Sequence, residues 1–312
     1  MKKLLLAIPL PLSGVMLGFA ALGNLLQSYG EWLRTVCGAV SFVLFILLVL
    51  KFLVLPASLK EDMKNPVTAS VSATFPMGMM LLTVYAKPFL GAVSFWLWWL
   101  AIALHAALIV YFTVTFLLRL QLQKIFASYY IVYVGIVVGS VTAPAYAMQP
   151  FGVTLFYFGF TSLVLLLGLV FYRYIKYKEI PEPARPLFCI SAAPTSLCLA
   201  GYLQSAGEKS QAWLIVLSVL AGLIYLIVLA KLPQFLKLKF YPSYAAFTFP
   251  FVITGVAFKQ LAGFYSKAGT PVPVLNIVSV VLTVIAAALA VYALIRYVAA
   301  VYKAVQQKAA SV

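Results

Sequence analysis

The stretch Ala246-Phe247-Thr248-Phe249-Pro250-Phe251-Val252-Ile253-Thr254 puts a proline in the middle of an uncharged, apolar run, residues 240–258. About 20 such residues in a helix cross a bilayer, so the run has the length of one span. A proline inside a helix removes a backbone hydrogen bond and costs about 3 kcal/mol in water. Within hydrocarbon that is tolerated only where protein or water meets the freed backbone group. The segment is therefore expected to face a partly hydrated interior, not lipid.

The same device recurs along the chain. Pro9-Leu10-Pro11-Leu12-Ser13-Gly14, Thr74-Phe75-Pro76-Met77-Gly78, Thr142-Ala143-Pro144-Ala145 and Ala192-Ala193-Pro194-Thr195-Ser196 each put proline beside small or hydroxylated residues. Between them lie stretches such as Phe42–Leu50, Leu163–Phe171 and Val280–Tyr292, built mostly from Leu, Val, Ile, Ala and Phe without proline. Uncharged runs cover 4–30, 65–86, 88–118, 186–207, 210–230, 240–258 and 268–295. A further run, 125–172, is long enough for two helices with a turn at Gln149-Pro150-Phe151-Gly152, and 35–56 is interrupted only by Lys51. The expectation is an all-α integral membrane protein of ten transmembrane helices. They form five helical hairpins within a single transmembrane domain, residues 1–312. Proline is common in membrane helices, but its recurrence in every odd span points to odd helices lining a central pore and even helices forming an outer ring.

Composition agrees. The chain is 65% hydrophobic and 9% charged, with mean hydropathy +1.07, against roughly 25% charged residues in an ordinary soluble domain. Twenty-two basic residues against six acidic ones leave a net charge of +16, but so apolar a chain has no basic face to offer nucleic acid. The charge instead reports topology. With a cytoplasmic amino terminus, 17 of the 22 basic residues fall in the inner loops and termini, and only Arg34, Lys87, Lys209, Lys259 and Lys267 fall outside. The positive-inside rule thus places both termini in the cytoplasm of a cell (inner or plasma) membrane protein. Trp32, Trp96, Trp98, Trp99 and Trp213 then fall near the outer interface. Lys2 and Lys3 before an apolar run resemble a signal peptide, but the run continues to Gly30 and is read as a retained span. Cys37, Cys189 and Cys198 all lie in apolar stretches, with neither a disulfide framework nor a metal pattern.

Five helices in a ring at about 9–10 Å spacing leave a hole of only about 3 Å radius, which one aromatic side chain would close. Phe249 and Phe75, each immediately before a mid-membrane proline, are the candidate gate; their position fits ordinary core packing equally well. Pro9, Pro11, Pro76, Pro144, Pro194 and Pro250 are the expected kinks. Ser13, Ser72, Thr74, Ser140, Thr142, Ser191, Thr195, Ser196, Thr248 and Thr254 are the candidate polar lining. Lys259, nine residues beyond Pro250 and so about 13 Å farther along a helix, suits an outer vestibule or a lysine snorkelling to the interface. Ion-coupled pumps normally bury ionisable groups in their spans, whereas all six acids, Glu31, Glu61, Asp62, Glu179, Glu182 and Glu208, fall in loops. His105, the single histidine, lies in an even span as a packing residue. With no metal-ligand cluster, nucleophile–base pair or phosphate loop, neither an enzyme nor a cofactor is expected.

These segments, with Leu17-Gly18-Phe19-Ala20-Ala21-Leu22 after the first prolines, resemble the tellurite-resistance/dicarboxylate transporter family. That family includes bacterial TehA and is similar to the plant slow anion channels of guard cells. The resemblance spans nearly the whole chain and implies five hairpins around a pore, a homotrimer, passage of small inorganic or organic anions, and a gate at Phe249. It departs from the bacterial pattern at Ser13, where an aromatic residue is expected, and Ala143 and Ala193 precede their prolines where aromatics would stand. A channel-like anion conductor is the leading expectation. The alternatives are a carrier for C4-dicarboxylates, an exporter of oxyanions such as tellurite, and a receptor or scaffold without transport.

Overall fold

The computed structural model describes residues 2–310, and every regular element among them is helical. The α-helices are α1 (Lys2–Ala7), α2 (Leu12–Leu26), α3 (Glu31–Val54), α4 (Pro56–Asp62), α5 (Pro66–Ser72), α6 (Thr74–Leu90) and α7 (Ala92–Phe112). They continue as α8 (Tyr129–Tyr133), α9 (Val137–Thr142), α10 (Gln149–Lys176), α11 (Ala193–Ser205), α12 (Gln211–Leu236), α13 (Phe249–Lys267) and α14 (Pro273–Ala310). The 3-10 stretches Glu182–Ala192 and Pro242–Phe247 lead directly into α11 and α13. Eight helical segments among the described residues are long and apolar enough to cross a membrane. Two other apolar stretches are shorter or broken: α2 has 15 residues, and α8, α9 and the 3-10 turn Ala143–Tyr146 divide the stretch before α10.

Burial separates the helices into two populations. The long segments that contain α6, α11 and α13 have 67%, 89% and 89% of their most apolar window buried, whereas α3, α7, α10, α12 and α14 have 22–33%. Every residue of α2 except Asn24 and Leu26 is buried. The poorly buried helices present large apolar side chains outward, among them Phe42, Leu100, Leu165, Ile227 and Val284. In water such surfaces would aggregate; against lipid tails they need no cover. The buried helices touch one another in sequence: α2 packs on α6, α6 on α9, α9 on α11, α11 on α13, and α13 returns to α2. Each is also backed by the next long helix in the chain.

The prolines mark breaks, not the expected kinks. Pro9 lies between α1 and α2, and Pro11 immediately precedes α2. Pro194 and Pro250 occupy the first turn of α11 and α13, and Pro144 the first turn of Ala143–Tyr146. Pro76 is the third residue of α6, which begins after an interruption at Ala73. A helix start is where proline is compatible with helical structure, because its missing N–H would have had no intrahelical partner there. Tight 3-10 bonds meet several of the neighbouring amides: Leu12 N donates to Pro9 O (3.0 Å), Ser13 N to Leu10 O (3.1 Å) and Phe251 N to Thr248 O (3.2 Å). The turn before α10 also differs from expectation. It falls at Ala147, with φ 55°, and Pro150 already belongs to the helix.

Trp32 and Trp96 are 67% and 68% exposed. Trp98 is instead fully buried and donates its indole N–H to Thr142 Oγ1 at 2.7 Å, so it joins α7 to α9 where an interfacial anchor was expected. The three cysteines are buried and free.

Candidate functional site

Two cavities lie among the buried helices. The first, about 210 Å³, is walled by Pro11 and Gly14, by Val71, Thr74 and Met77, by Tyr130 and Val134, by Ile190 and Pro194, and by Ala246 and Pro250. The second, about 430 Å³, is walled by Ala21 and Asn24, Leu81, Val141 and Thr142, Gln204, Ile253 and Lys259. Each thus takes side chains from all five proline-bearing segments. Phe249 and Leu197 line both cavities. They are 5% and 2% exposed, and they are the two side chains that the lining of the spaces has in common.

Phe249 owes its place to how the chain enters α13. Thr248 ends the 3-10 stretch, and its hydroxyl lies 2.9 Å from Gly14 O and 2.7 Å from Ala245 O, donating between them. The α2 backbone comes so close here that a Cβ on Gly18 would stand 2.5 Å from Thr248 Cβ and 3.1 Å from the Phe249 amide nitrogen. A glycine at 18 is what permits that approach, as small residues do wherever membrane helices pack closely. The base of the Phe249 side chain is therefore fixed by α2.

Phe75, expected beside Phe249, is elsewhere. Its ring stacks on Phe45 (centroids 5.5 Å apart) and meets Phe52 edge-on (5.0 Å), both on α3, and it lines neither cavity. The two Thr-Phe-Pro strings are offset by one residue relative to their helix starts. α13 begins at Phe249, but α6 begins at Thr74. Thr74 and Met77 then share the face toward the cavity, and Phe75, about 100° round the helix, faces outward.

The hydroxyls expected along the axis mostly bind the helices together. Ser13 and Thr74 hydroxyls lie 2.6 Å apart, Ser196 and Thr254 2.9 Å, and Ser140 donates to Ser205 Oγ at 3.0 Å. Ser72 donates to Ala69 O at 2.7 Å. Thr195 Oγ1 is buried without a partner, and Ser191 is half-buried. Of these candidates Thr74 lines the first cavity and Thr142 the second; Ser13, Ser72, Ser140, Ser191, Thr195, Ser196, Thr248 and Thr254 line neither. Buried hydroxyls in an apolar medium need partners, and carbonyls one turn back together with facing hydroxyls are nearer than the axis.

No charged side chain lines the first cavity, whereas Lys259 and Arg34 both line the second. Lys259 Nζ donates to Leu25 O (2.6 Å) and Ser28 Oγ (2.5 Å) and sits 4.6 Å from the Tyr29 ring centre. Arg34 donates to Asn24 Oδ1 (3.3 Å) and Glu31 Oε1 (3.0 Å) and lies over Tyr85. Arg34 was missed in the sequence because it reads as one of five outer-loop charges; the packing of the α3 start against α2 brings it to the cavity. His105 is buried in α7, its Nε2 2.9 Å from Val132 O, and lines neither cavity.

A family model described as voltage-dependent anion channel (SLAC1) matches residues 8–298. That range includes every proline-bearing segment and both cavity linings. No curated protein matches the chain. Matched over nearly its whole length, this multi-pass membrane protein belongs to the SLAC1 voltage-dependent anion channel family, which comprises anion channels and transporters and not enzymes.

Proposed function

We propose that the chain is a channel-like anion conductor with one pore per protomer, running through both cavities and closed at Phe249 with Leu197 beside it. The observation that carries this reading is that these two apolar side chains line both cavities. Burying a phenylalanine side chain contributes about 1.5–3 kcal/mol. Swinging the ring aside therefore disfavours the open state by roughly 10- to 100-fold, so a side-chain movement without a change of fold suffices as a gate.

Selectivity follows from what surrounds the path. Arg34 and Lys259 draw anions to the second cavity. In the first cavity, which no charged side chain among the described residues lines, the peptide groups at the starts of α2, α6, α11 and α13 supply only partial charges, since local bonds already take many of their amides. Partial charges in neutral walls favour an anion without holding it, as rapid passage requires.

In the same reading the whole of 1–312 is one transmembrane domain of ten crossings in five hairpins, with α2 and the broken stretch from α8 to Tyr146 supplying the two short inner crossings. Both termini face the cytoplasm of the cell membrane, so the first cavity opens inward and the second outward; 17 of 22 basic residues on one side support this. The homotrimer that the family resemblance implies belongs to the same reading.

Flux from proteoliposomes tests the function. An anion gradient should dissipate through the purified protein while a potassium gradient persists. Saturable exchange of labelled dicarboxylate or oxyanion without net anion leak would instead establish a carrier, and no flux of any kind would favour a receptor or scaffold.

A further inference from the structure

Arg173, near the end of α10, is 1% exposed although it lies on an outer helix. It donates to Tyr177 O (3.1 Å) and Gln123 O (3.2 Å), and the Phe126 and Tyr174 rings lie 4.6 and 5.0 Å from its guanidinium carbon. Its Nε has no hydrogen-bond partner, and none of the ion pairs among the described residues includes it. The carbonyls at the α10 terminus and the two ring faces offset part of its burial, but no anionic group neutralises the charge, which a bound anion would do.

The surroundings supply room for one. Arg173 lines a cleft of about 1420 Å³ together with Lys124, Lys176, Lys178, Arg185 and Lys231. The acids on its wall are Glu179 and Glu182, and Glu182 already accepts the Tyr241 hydroxyl at 2.7 Å. The last turns of α10 and α12 border the cleft, and the opposite face of α10 carries the exposed apolar Phe171 and Ile175. The opening therefore sits where the apolar outer surface gives way to charged loops. The site is far in character from the pore: it shares no lining residue with either axial cavity.

We propose that this cleft binds a phosphate group, carried by an anionic phospholipid headgroup or free in solution, held by the rim lysines with the buried Arg173 charge beneath them. Lysine ammonium groups give phosphate charge-assisted hydrogen bonds, and basic pockets between outer helices suit anionic headgroups. The inference needs only that the chain is a multi-pass membrane protein and stands apart from the pore reading.

Thermal unfolding of the purified full chain in detergent tests it, at constant ionic strength, with short-chain phosphatidylglycerol, short-chain phosphatidylcholine or inorganic phosphate added. The variants are Arg173→Gln, the exposed double variant Lys178→Gln/Lys231→Gln, and Lys303→Gln as a control for lost charge elsewhere. Phosphatidylglycerol near a hundred times its dissociation constant should raise Tm by about 4–6 °C in the native chain and in Lys303→Gln. The double variant should lose at least half of that shift. A comparable rise with inorganic phosphate identifies the free ion as a ligand, and a rise confined to phosphatidylglycerol identifies the lipid. Should Arg173→Gln not fold, the exposed double variant carries the test alone. Equal shifts with phosphatidylcholine, no shift with any addition, or an undiminished shift in the double variant would overturn the proposal.

Discussion

Phe249 and Phe75 stand in nearly identical strings, yet one lines both cavities and the other lies against α3. The difference lies in how each helix is entered: Thr248 leaves the helical region before α13 (φ −100°, ψ −94°), whereas Ala73 before α6 stays in it (φ −65°, ψ −14°), and a string of five letters carries no signal for it. Leu197 was unreadable for a related reason: a leucine three residues after Pro194 is indistinguishable in sequence from its apolar neighbours. Two substitutions separate these roles. Leu197→Ala should raise anion current, by less than removal of the Phe249 ring, while lowering stability by about 2–5 kcal/mol as a buried leucine truncation does. Phe75→Ala should leave single-channel conductance unchanged and cost about 2 kcal/mol, since its ring is half-buried and packs on Phe45 and Phe52. Planar-bilayer recording paired with thermal unfolding checks both.

At the scale of the element, the alternation of proline-bearing and proline-free stretches was legible because it rests on composition over some 20 residues, and the inner and outer populations follow it, except that the outer helix α12 runs on through Pro233. Whether a proline kinks a helix or begins one was not legible. That depends on the residues before it, which wind as 3-10 helix before α11 and α13, and on local hydrogen bonds that composition does not encode. Of the serines and threonines expected along the pore, Thr74 and Thr142 reach the cavities, while most of the others meet carbonyls and each other, because residue type gives chemistry but not direction. The tight crossing of α2 over Thr248 yields a further expectation. Gly18→Val forces its side chain into Thr248, only 2.5 Å from a Cβ at that position, and should cost about 1–3 kcal/mol through overpacking. Because the displaced residue precedes Phe249, the surviving protein should also show altered resting leak, which a fluorescence-quench flux assay on reconstituted vesicles measures. Unaltered leak together with lowered stability would mean that α2 supports the fold without setting the gate.

Within the +16 charge of the whole molecule, Arg173 is buried at a basic cleft and two cations line the second cavity; on the proposed topology the loop charges set orientation. The spans held no acid in the sequence, and both cavities are free of acidic side chains among the described residues, which suits passive conduction. The outer cations act through water, so their effect must depend on salt. Lys259→Gln should reduce anion conductance about two- to threefold near 10 mM salt, where the Debye length is about 30 Å, and have almost no effect at 1 M. A salt-independent loss would assign Lys259 to anchoring Leu25 and Ser28, which it also contacts.

The central claim is that one aromatic ring closes a path already present along the axis. Planar-bilayer recording of purified Phe249→Ala tests it most directly. The account predicts an anion-selective current at least about tenfold above the native chain, matching the loss of the ring's burial energy. An unchanged or absent conductance, or a current carried by cations, would contradict it.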